Sequence, residues 1–200
     1  MKRRRVVVAS HNAHKIREIK EMTKHLNLEV VGLPELGDYP PVVEDGETFQ
    51  DNARKKAVEI ANLCGELVLA DDSGLEVDVL GGAPGVHSAR FAGEPVSDQR
   101  NNALLLKTLQ GYPLEQRGAG FRCVMALAFP YGSVELTEGI CRGVILFESR
   151  GEGGFGYDPL FYVPEYGLTF AELGSDLKNQ ISHRYKALTK MLGVIERIQA

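Results

Sequence analysis

Two adjacent aspartates, Asp71 and Asp72, follow a short apolar run and precede Ser73 and Gly74. The apolar run, residues 66–70, predicts a β-strand, and open α/β sheets usually bind ligands at the carboxyl ends of their strands. Because side chains alternate along a strand, we expect the two carboxylates to face opposite ways and to have different tasks. One could contact a hard cation such as Mg²⁺ while the other orients a water. The alternative is that Asp-Asp-Ser-Gly only ends the strand with an Asx-type turn.

A predicted helix carries a lysine on its apolar side. The helix runs from the N-cap Thr48 to about Cys64, and Lys56 falls within its apolar arc. The lysine side chain could extend along the helix to reach water. Otherwise its charge needs carboxylates or a phosphate to offset the loss of water, and a lysine, several acids and a cation would form a phosphate-handling cluster. Three acids lie just before the helix, namely Glu44, Asp45 and Glu47.

The segment SHNAHK, residues 10–15, joins a strand predicted at 4–10 to a helix that begins at Ala13. Backbone N–H groups at a helix N-terminus, the helix dipole and the nearby Lys15 would form an anion site suited to a polyphosphate. The segment lacks the glycines of a P-loop. An ordinary polar turn with Asn12 as the helix cap is the alternative.

A glycine-rich loop near residue 155 offers aromatic side chains. Its residues 151–156 satisfy G-x-G-x-x-G, but a dinucleotide-binding turn must open a helix, and Pro159 restrains the residue before it from helical geometry. We therefore exclude a Rossmann site. Phe155 and Tyr157 could stack on a base, or they could pack beneath the loop.

The start of the last predicted helix contains two long hydrogen-bond donors. Ser182 is its expected N-cap, and His183 and Arg184 follow in the first turn. Such donors suit a carbonyl acceptor on a heterocycle, although a solvated surface pair is the alternative. Lys178, one loop earlier, adds another candidate cation.

The elements that must position these residues alternate between strands and helices and include a long hairpin. Apolar residues alternate over Phe121–Phe129, and a PYGS turn leads into a second extended segment over residues 134–147. A further helix is predicted between Ser97 and Gly111. This pattern predicts an α/β fold with a mixed sheet, in one globular domain over residues 1–200.

Composition excludes several classes of protein. The 200 residues are 44% hydrophobic and 25% charged, and no stretch approaches the roughly 18 apolar residues that a membrane span requires. The net charge of −4 argues against a nucleic-acid-coating protein. Three cysteines, too widely spaced for a disulfide framework or a zinc site, are expected to be buried: Cys64, Cys123 and Cys141. The apolar run after the basic N-terminus is too short for a signal peptide, which favours the cytoplasm.

Five segments, taken in order and spacing, resemble the inosine triphosphate pyrophosphatase family: SHNAHK, ETFQDNARKKA, LADDSGLEVDVLGGAPGVHSARFAG, GFGYDPLF and SHRYKAL. The similarity extends from about residue 6 to residue 190. It implies a long central mixed sheet flanked by helices, two lobes with the active-site cleft between them, and a homodimer. It also implies Mg²⁺-dependent hydrolysis of ITP, dITP and XTP to the nucleoside monophosphate and pyrophosphate.

The resemblance also implies roles for the phosphate-handling residues. The triphosphate would be held by Ser10, His11, Asn12, Ala13, His14 and Lys15. Glu44 and Asp72 would bind the metal, and Ser73 would touch the substrate. The catalytic group would comprise Asp72 as general base, Asp71 beside it, and Lys56 on a phosphate.

The remaining motifs would recognise the nucleoside. The base and sugar would be bordered by Phe155, Gly156, Tyr157 and Asp158, and the purine would be contacted by Lys178, His183 and Arg184. Hypoxanthine and xanthine present a 6-oxo acceptor where adenine presents an amino donor, so donors here would disfavour ATP. Two other functions remain open on the sequence alone: a Maf-like pyrophosphatase for other modified nucleotides, and a nucleotide-binding module without turnover.

Overall fold

A seven-stranded mixed sheet organises the fold, in a computed structural model that describes the backbone of residues 4–199 and the side chains of residues 4–197. The strands are β1 (Arg4–Val8), β2 (Leu28–Gly32), β3 (Val68–Val77), β4 (Gly118–Ala128), β5 (Val134–Ile145), β6 (Phe161–Val163) and β7 (Leu168–Thr169). Their order across the sheet is β2-β1-β3-β4-β5-β6-β7. β1 pairs in parallel with β2 and β3, whereas β6 pairs antiparallel with β5 and β7. The predicted mixed-sheet α/β fold is confirmed.

Six α-helices accompany the sheet in the described residues. They are α1 (Ala13–Thr23), α2 (Leu33–Leu36), α3 (Phe49–Cys64), α4 (Asp98–Thr108), α5 (Ser175–Ile181) and α6 (His183–Gln199). The capping predictions for α3 are confirmed: the Thr48 hydroxyl accepts a hydrogen bond from the Asp51 amide, and Gly65 ends the helix with φ of 70°. Ser97 caps α4 in the same way, through the Arg100 amide. No helix in this part of the chain is long and apolar enough to cross a membrane.

β3 differs from its prediction in a way that matters for the site. The strand was expected to end at Ala70, but it continues through Asp71 and Asp72 to Val77. The alternative of an Asx turn is therefore wrong. A buried strand can contain two acids because their side chains find ionic and hydrogen-bonding partners, so the backbone need not turn out to solvent.

The chain divides into two compact units. Within the described residues, the first unit comprises 4–72, 123–139 and 184–199, and the second comprises 73–122 and 140–183. The core of the first unit includes Val6, Ile19, Met125, Leu188 and Met191. The core of the second includes Leu75, Leu105, Phe121, Phe161 and Phe170. Cys123 and Cys141 are buried as predicted, but Cys64 is partly exposed because it lies in the last turn of α3.

Candidate active site

The paired aspartates of β3 have different partners within the first unit. Asp71 is 1% exposed, and its Oδ2 lies 3.0 Å from Lys15 Nζ and 3.4 Å from Arg184 Nε. Asp72 is 6% exposed, and its Oδ2 accepts a hydrogen bond of 3.0 Å from Asn52 Nδ2. Two adjacent carboxylates therefore occupy different electrostatic surroundings.

These surroundings move the pKa values of the two acids in opposite directions. Burial opposes ionisation of Asp71, but Lys15, Arg184 and Lys56 outweigh it and hold the pKa of this carboxyl well below its usual range. Burial and the neighbouring Glu44 raise the pKa of Asp72, and the Asn52 hydrogen bond offsets only part of this rise. In many active sites, two neighbouring titratable groups have pKa values that their environments shift apart, and one of them acts as an acid while the other acts as a base.

Lys56 is buried and paired, not merely extended to the surface. The residue is 9% exposed, and its ammonium lies 2.7 Å from Glu44 Oε1. Burial alone would lower its pKa, but Asp71, Glu44 and Asp72 together raise it. Lys56 therefore remains a cation within a group of carboxylates, an arrangement suited to a phosphate.

Of the three acids before α3, only Glu44 contacts Lys56 in the described contacts. Asp45 instead pairs with Lys55, with 2.7 Å between Nζ and Oδ1. The loop bearing Glu44 is fixed to α3, because the Gly46 amide donates to Asn52 Oδ1 at 2.7 Å. A Cβ at Gly46 would lie 2.7 Å from Asp51 Cβ, so only glycine allows this close approach.

Asn52 was not predicted from the sequence, yet it joins two parts of the site. Its side-chain oxygen accepts from Gly46 and its amide donates to Asp72. The available signal was its position four residues before Lys56, which places both side chains on one face of α3.

The segment SHNAHK forms a capped helix start. The Asn12 Oδ1 accepts from the amides of His14 at 2.9 Å and Lys15 at 3.3 Å, and the Asn12 amide donates to Ser10 Oγ. The interpretation of Asn12 as a helix cap is thus confirmed. The charge that this segment brings to the aspartates comes from the Lys15 side chain. His11, Ala13 and His14 are exposed.

Arg184 lies between two carboxylates in the first unit. The residue is 2% exposed, and its guanidinium forms ion pairs with Asp71 and with Glu18 on α1. Burial opposes the charge, but the two acids keep the pKa of Arg184 above its usual value. Glu18 was not predicted, although its spacing of three from Lys15 places the two on one helix face.

The donor set is compatible with a magnesium ion. Glu44 raises the pKa of Asp72, which shows that the two carboxylates repel, and a divalent cation would relieve that repulsion. No group of three or more His, Cys, Asp or Glu side chains in the described residues could hold a metal. Two carboxylates nevertheless suit Mg²⁺, which usually combines one or two of them with water and substrate phosphates.

The second unit contains a cluster in which one lysine contacts an aspartate and two aromatic rings. Buried Lys178 and Asp158 form an ion pair with 2.6 Å between Nζ and Oδ2, and the same oxygen accepts from the Phe155 amide. Lys178 Nζ lies 4.9 Å from the Phe155 ring centroid and 5.6 Å from that of Phe170. A Cβ at Gly154 would overlap the Asp158 carboxylate, so glycine is required there.

Phe155 and Tyr157 have different environments. Tyr157 is buried, and its hydroxyl donates to the Ser88 carbonyl at 2.8 Å, so this ring packs beneath the loop as the alternative interpretation held. Phe155 is only partly buried. Of the two rings, Phe155 is therefore the one suited to stacking on a base.

The three residues of the SHR motif, Ser182, His183 and Arg184, have different environments. His183 is buried in the second unit, where its ring stacks on Phe121 with 4.9 Å between centroids. Arg184 belongs to the first unit with the aspartates. Ser182, also buried, lies between α5 and α6, and Ser73 directly follows Asp72 within β3.

Over nearly its whole length, the chain is similar to proteins of one family. The model of the Ham1 family matches residues 6–194. A dITP/XTP pyrophosphatase of Desulforamulus reducens is 56% identical over 194 residues, which cover 97% of this chain and 96% of the relative. The solved structure of the Staphylococcus aureus Ham1 protein has a TM-score of 0.84 at 39% identity and covers 96% of this chain and 98% of its own. For a HAM1 protein from Coxiella burnetii the TM-score is 0.89 at 38% identity, covering 97% and 99%.

Proposed function

The chain belongs to the Ham1 family, and on that premise we propose that it hydrolyses ITP, dITP and XTP to the nucleoside monophosphate and pyrophosphate, clearing them from the nucleotide pool. The observation that carries the proposal is the group of Asp71, Asp72, Lys15 and Lys56, in which the two neighbouring acids are buried and have opposite pKa shifts. The name of the Desulforamulus reducens relative, dITP/XTP pyrophosphatase, supports the same substrate class.

Asp72 is assigned the role of general base. A water attacks the α-phosphorus, its proton passes to the Asp72 carboxylate, and the bond to the bridging oxygen breaks with its electron pair leaving on pyrophosphate. The raised pKa of Asp72 makes it a better proton acceptor than an ordinary aspartate. Asn52 holds one carboxylate oxygen and thereby fixes the side chain for this transfer.

The cations of the first unit are assigned to charge stabilisation. Lys15 and Lys56 would bind the phosphate oxygens, on which negative charge is concentrated during the transfer. Asp71, held ionised by its cationic neighbours, keeps Lys15 directed into the site. A Mg²⁺ ion bound by Glu44 and Asp72 would supply further neutralisation of the phosphates.

Base recognition is assigned to the second-unit cluster. Phe155 would stack on the purine, and donors from Lys178 and His183 would meet the 6-oxo group. The contacts of Arg184 with Asp71 and Glu18 favour an action on the carboxylates over the direct purine contact that the resemblance implied. The proposal also includes the homodimer and the cytoplasmic location implied by the resemblance, and no nucleic-acid partner.

The experiment that tests this function is pyrophosphate release from ITP, XTP, dITP, ATP, GTP and a modified pyrimidine triphosphate, each with Mg²⁺ and with EDTA. We expect metal-dependent release confined largely to the first three. A preference for the pyrimidine would favour a Maf-like enzyme instead. Binding of ITP without release from any substrate would leave a nucleotide-binding module as the better account.

A further inference from the structure

The backbone of Gly156 is held from two sides by α4. The Gly156 amide donates to Asp98 Oδ2 at 2.7 Å, and the Gly156 carbonyl accepts from Asn102 Nδ2 at 3.0 Å. Asp98 and Asn102 are four residues apart and therefore neighbours on one face of the helix. One face of α4 thus provides an acceptor for the Gly156 amide and a donor for the Gly156 carbonyl.

Gly156 needs such support because regular structure does not supply it. It lies in a turn between β5 and β6 and adopts the left-handed conformation, with φ of 62°. No strand ladder or helix pairs its amide and carbonyl, so the side chains of α4 take that role. The conformation at Gly156 sets the directions in which its neighbours leave the turn.

Those neighbours are Phe155 and Tyr157, which differ in how they are anchored. Tyr157 is fixed by its hydroxyl on Ser88. Phe155 is held through its amide by Asp158, and its partly buried ring contacts the ammonium of Lys178. Phe155 is bonded directly to Gly156, so a shift of the Gly156 backbone would turn the Phe155 ring relative to Lys178, while Tyr157 stays anchored by its hydroxyl.

We infer that Asp98 and Asn102 are positioning residues for purine recognition, because their hydrogen bonds to Gly156 keep Phe155 in place beside Lys178. The inference rests on the proposed function, in which Phe155 and Lys178 meet the base. Neither α4 residue is assigned any contact with phosphate. Their loss should therefore weaken the binding of the nucleoside part of a substrate and leave the binding of its phosphates unchanged.

The test compares substitutions on one helix. Asn102→Asp replaces the donor by an acceptor facing the Gly156 carbonyl, and Asp98→Ala removes the acceptor for the amide. Asp98→Asn keeps an acceptor oxygen and should restore most of the function lost in Asp98→Ala. Gln99→Ala is the matched control, since Gln99 is an exposed neighbour in the same turn.

The kinetic readout separates positioning from general damage. For Asn102→Asp and Asp98→Ala we expect KM for ITP to rise about tenfold, with kcat within about twofold of wild type. The inhibition constant of inorganic tripolyphosphate, which has no base, should not change. Equal losses for ITP and tripolyphosphate, or a KM for ITP unchanged from wild type, would overturn the inference.

A second measurement does not depend on activity. Hydrogen exchange of the peptide containing Gly156 should be faster in Asp98→Ala than in wild type, and Asp98→Asn and Gln99→Ala should retain wild-type protection. Unchanged exchange in Asp98→Ala would show that the hydrogen bond from the Gly156 amide to Asp98 does not hold the loop. If the wild-type protein releases no pyrophosphate from ITP, the proposed function fails, whereas wild-type release with unaltered variants overturns this inference alone.

Discussion

At the scale of single residues, Asp71 and Asp72 show how identical neighbouring side chains acquire different chemistry. Asp71 meets two cations and has a lowered pKa, whereas burial and the neighbouring Glu44 raise the pKa of Asp72 despite its hydrogen bond from Asn52. The alternation of side chains along β3 sends each acid to its own set of partners. Both carboxyls are buried, but only Asp72 has a raised pKa and therefore binds a proton more readily than an ordinary aspartate.

Asp72→Asn should abolish most turnover without unfolding the protein. Asparagine has nearly the same size but cannot take a proton or balance a cation, so we expect pyrophosphate release from ITP to fall by about 10²–10⁴-fold. Release is measured beside a thermal unfolding curve, with the exposed Asp38→Asn as control. Wild-type turnover in Asp72→Asn would contradict the assigned mechanism.

Glu18→Gln tests whether Arg184 acts through Asp71. Glu18 holds one side of the buried guanidinium, and its loss should leave Arg184 paired with Asp71 alone and change its position against that carboxylate. We expect kcat to fall about tenfold for ITP and ATP alike, because the disturbance reaches the phosphates and not the base. Partial recovery is expected in Glu18→Asp.

The control for that experiment lies on the same helix. Glu21 forms only an exposed ion pair with Lys24 in the described contacts, so Glu21→Gln should leave kcat unchanged. A change in the ratio of ITP to ATP turnover in Glu18→Gln would instead indicate that Arg184 contacts the purine.

At the scale of elements, α3 organises the metal and phosphate residues. Asn52 and Lys56 lie one turn apart on its buried face, and Thr48 caps its start. The preceding loop returns Glu44 to Lys56 because Gly46 is hydrogen-bonded to Asn52. The position of Glu44 thus depends on a close contact between backbone and helix.

Gly46→Ala should damage this arrangement by steric conflict. The added Cβ would meet Asp51 and Asn52 at 2.7–2.8 Å, so the loop must move and Glu44 with it. We expect the Mg²⁺ concentration for half-maximal activity to rise at least about threefold, measured by magnesium titration of pyrophosphate release. Gly174→Ala, where a Cβ would meet no atom within 4 Å, should behave as wild type.

At the scale of the whole molecule, each compact unit has its own hydrophobic core and its own part of the proposed chemistry. The phosphate-handling residues belong to the first unit, and the Phe155 and Lys178 cluster belongs to the second. β3 and β4 each contribute residues to both cores. Core packing in either unit should therefore matter for the stability of the strands that carry the sites.

Leu188→Ala tests this in the first unit. Leu188 is 1% exposed, and its truncation should lower the free energy of unfolding by about 2–5 kcal/mol through lost burial and a cavity. The measurement is urea unfolding followed by circular dichroism. Leu63→Ala, at a position 60% exposed, should change stability by less than about 0.5 kcal/mol. Equal effects of the two substitutions would contradict the assigned core.

Periodicity and capping residues sufficed to predict much of the fold. The Thr48 and Ser97 caps, the Gly65 terminus and the strand β4 depend on local chemistry, and all were predicted correctly. The short elements β6, β7, α2 and α5 were missed, because segments of two to seven residues contain too few turns or alternations to give a pattern. The end of β3 was wrong because adjacent acids suggest a turn unless their distant partners are known.

Motifs and periodicity were enough to indicate the family, the mixed-sheet α/β class and the residue types suited to phosphate chemistry. Five motifs in order indicated the family, and the match over residues 6–194 confirms it. The partners of those residues became known only from the folded chain: Glu18 for Arg184, Asn52 for Asp72, and α4 for Gly156. The physical reason is that a pKa, a buried charge or a held loop depends on atoms brought together from distant parts of the chain, and no local pattern records them.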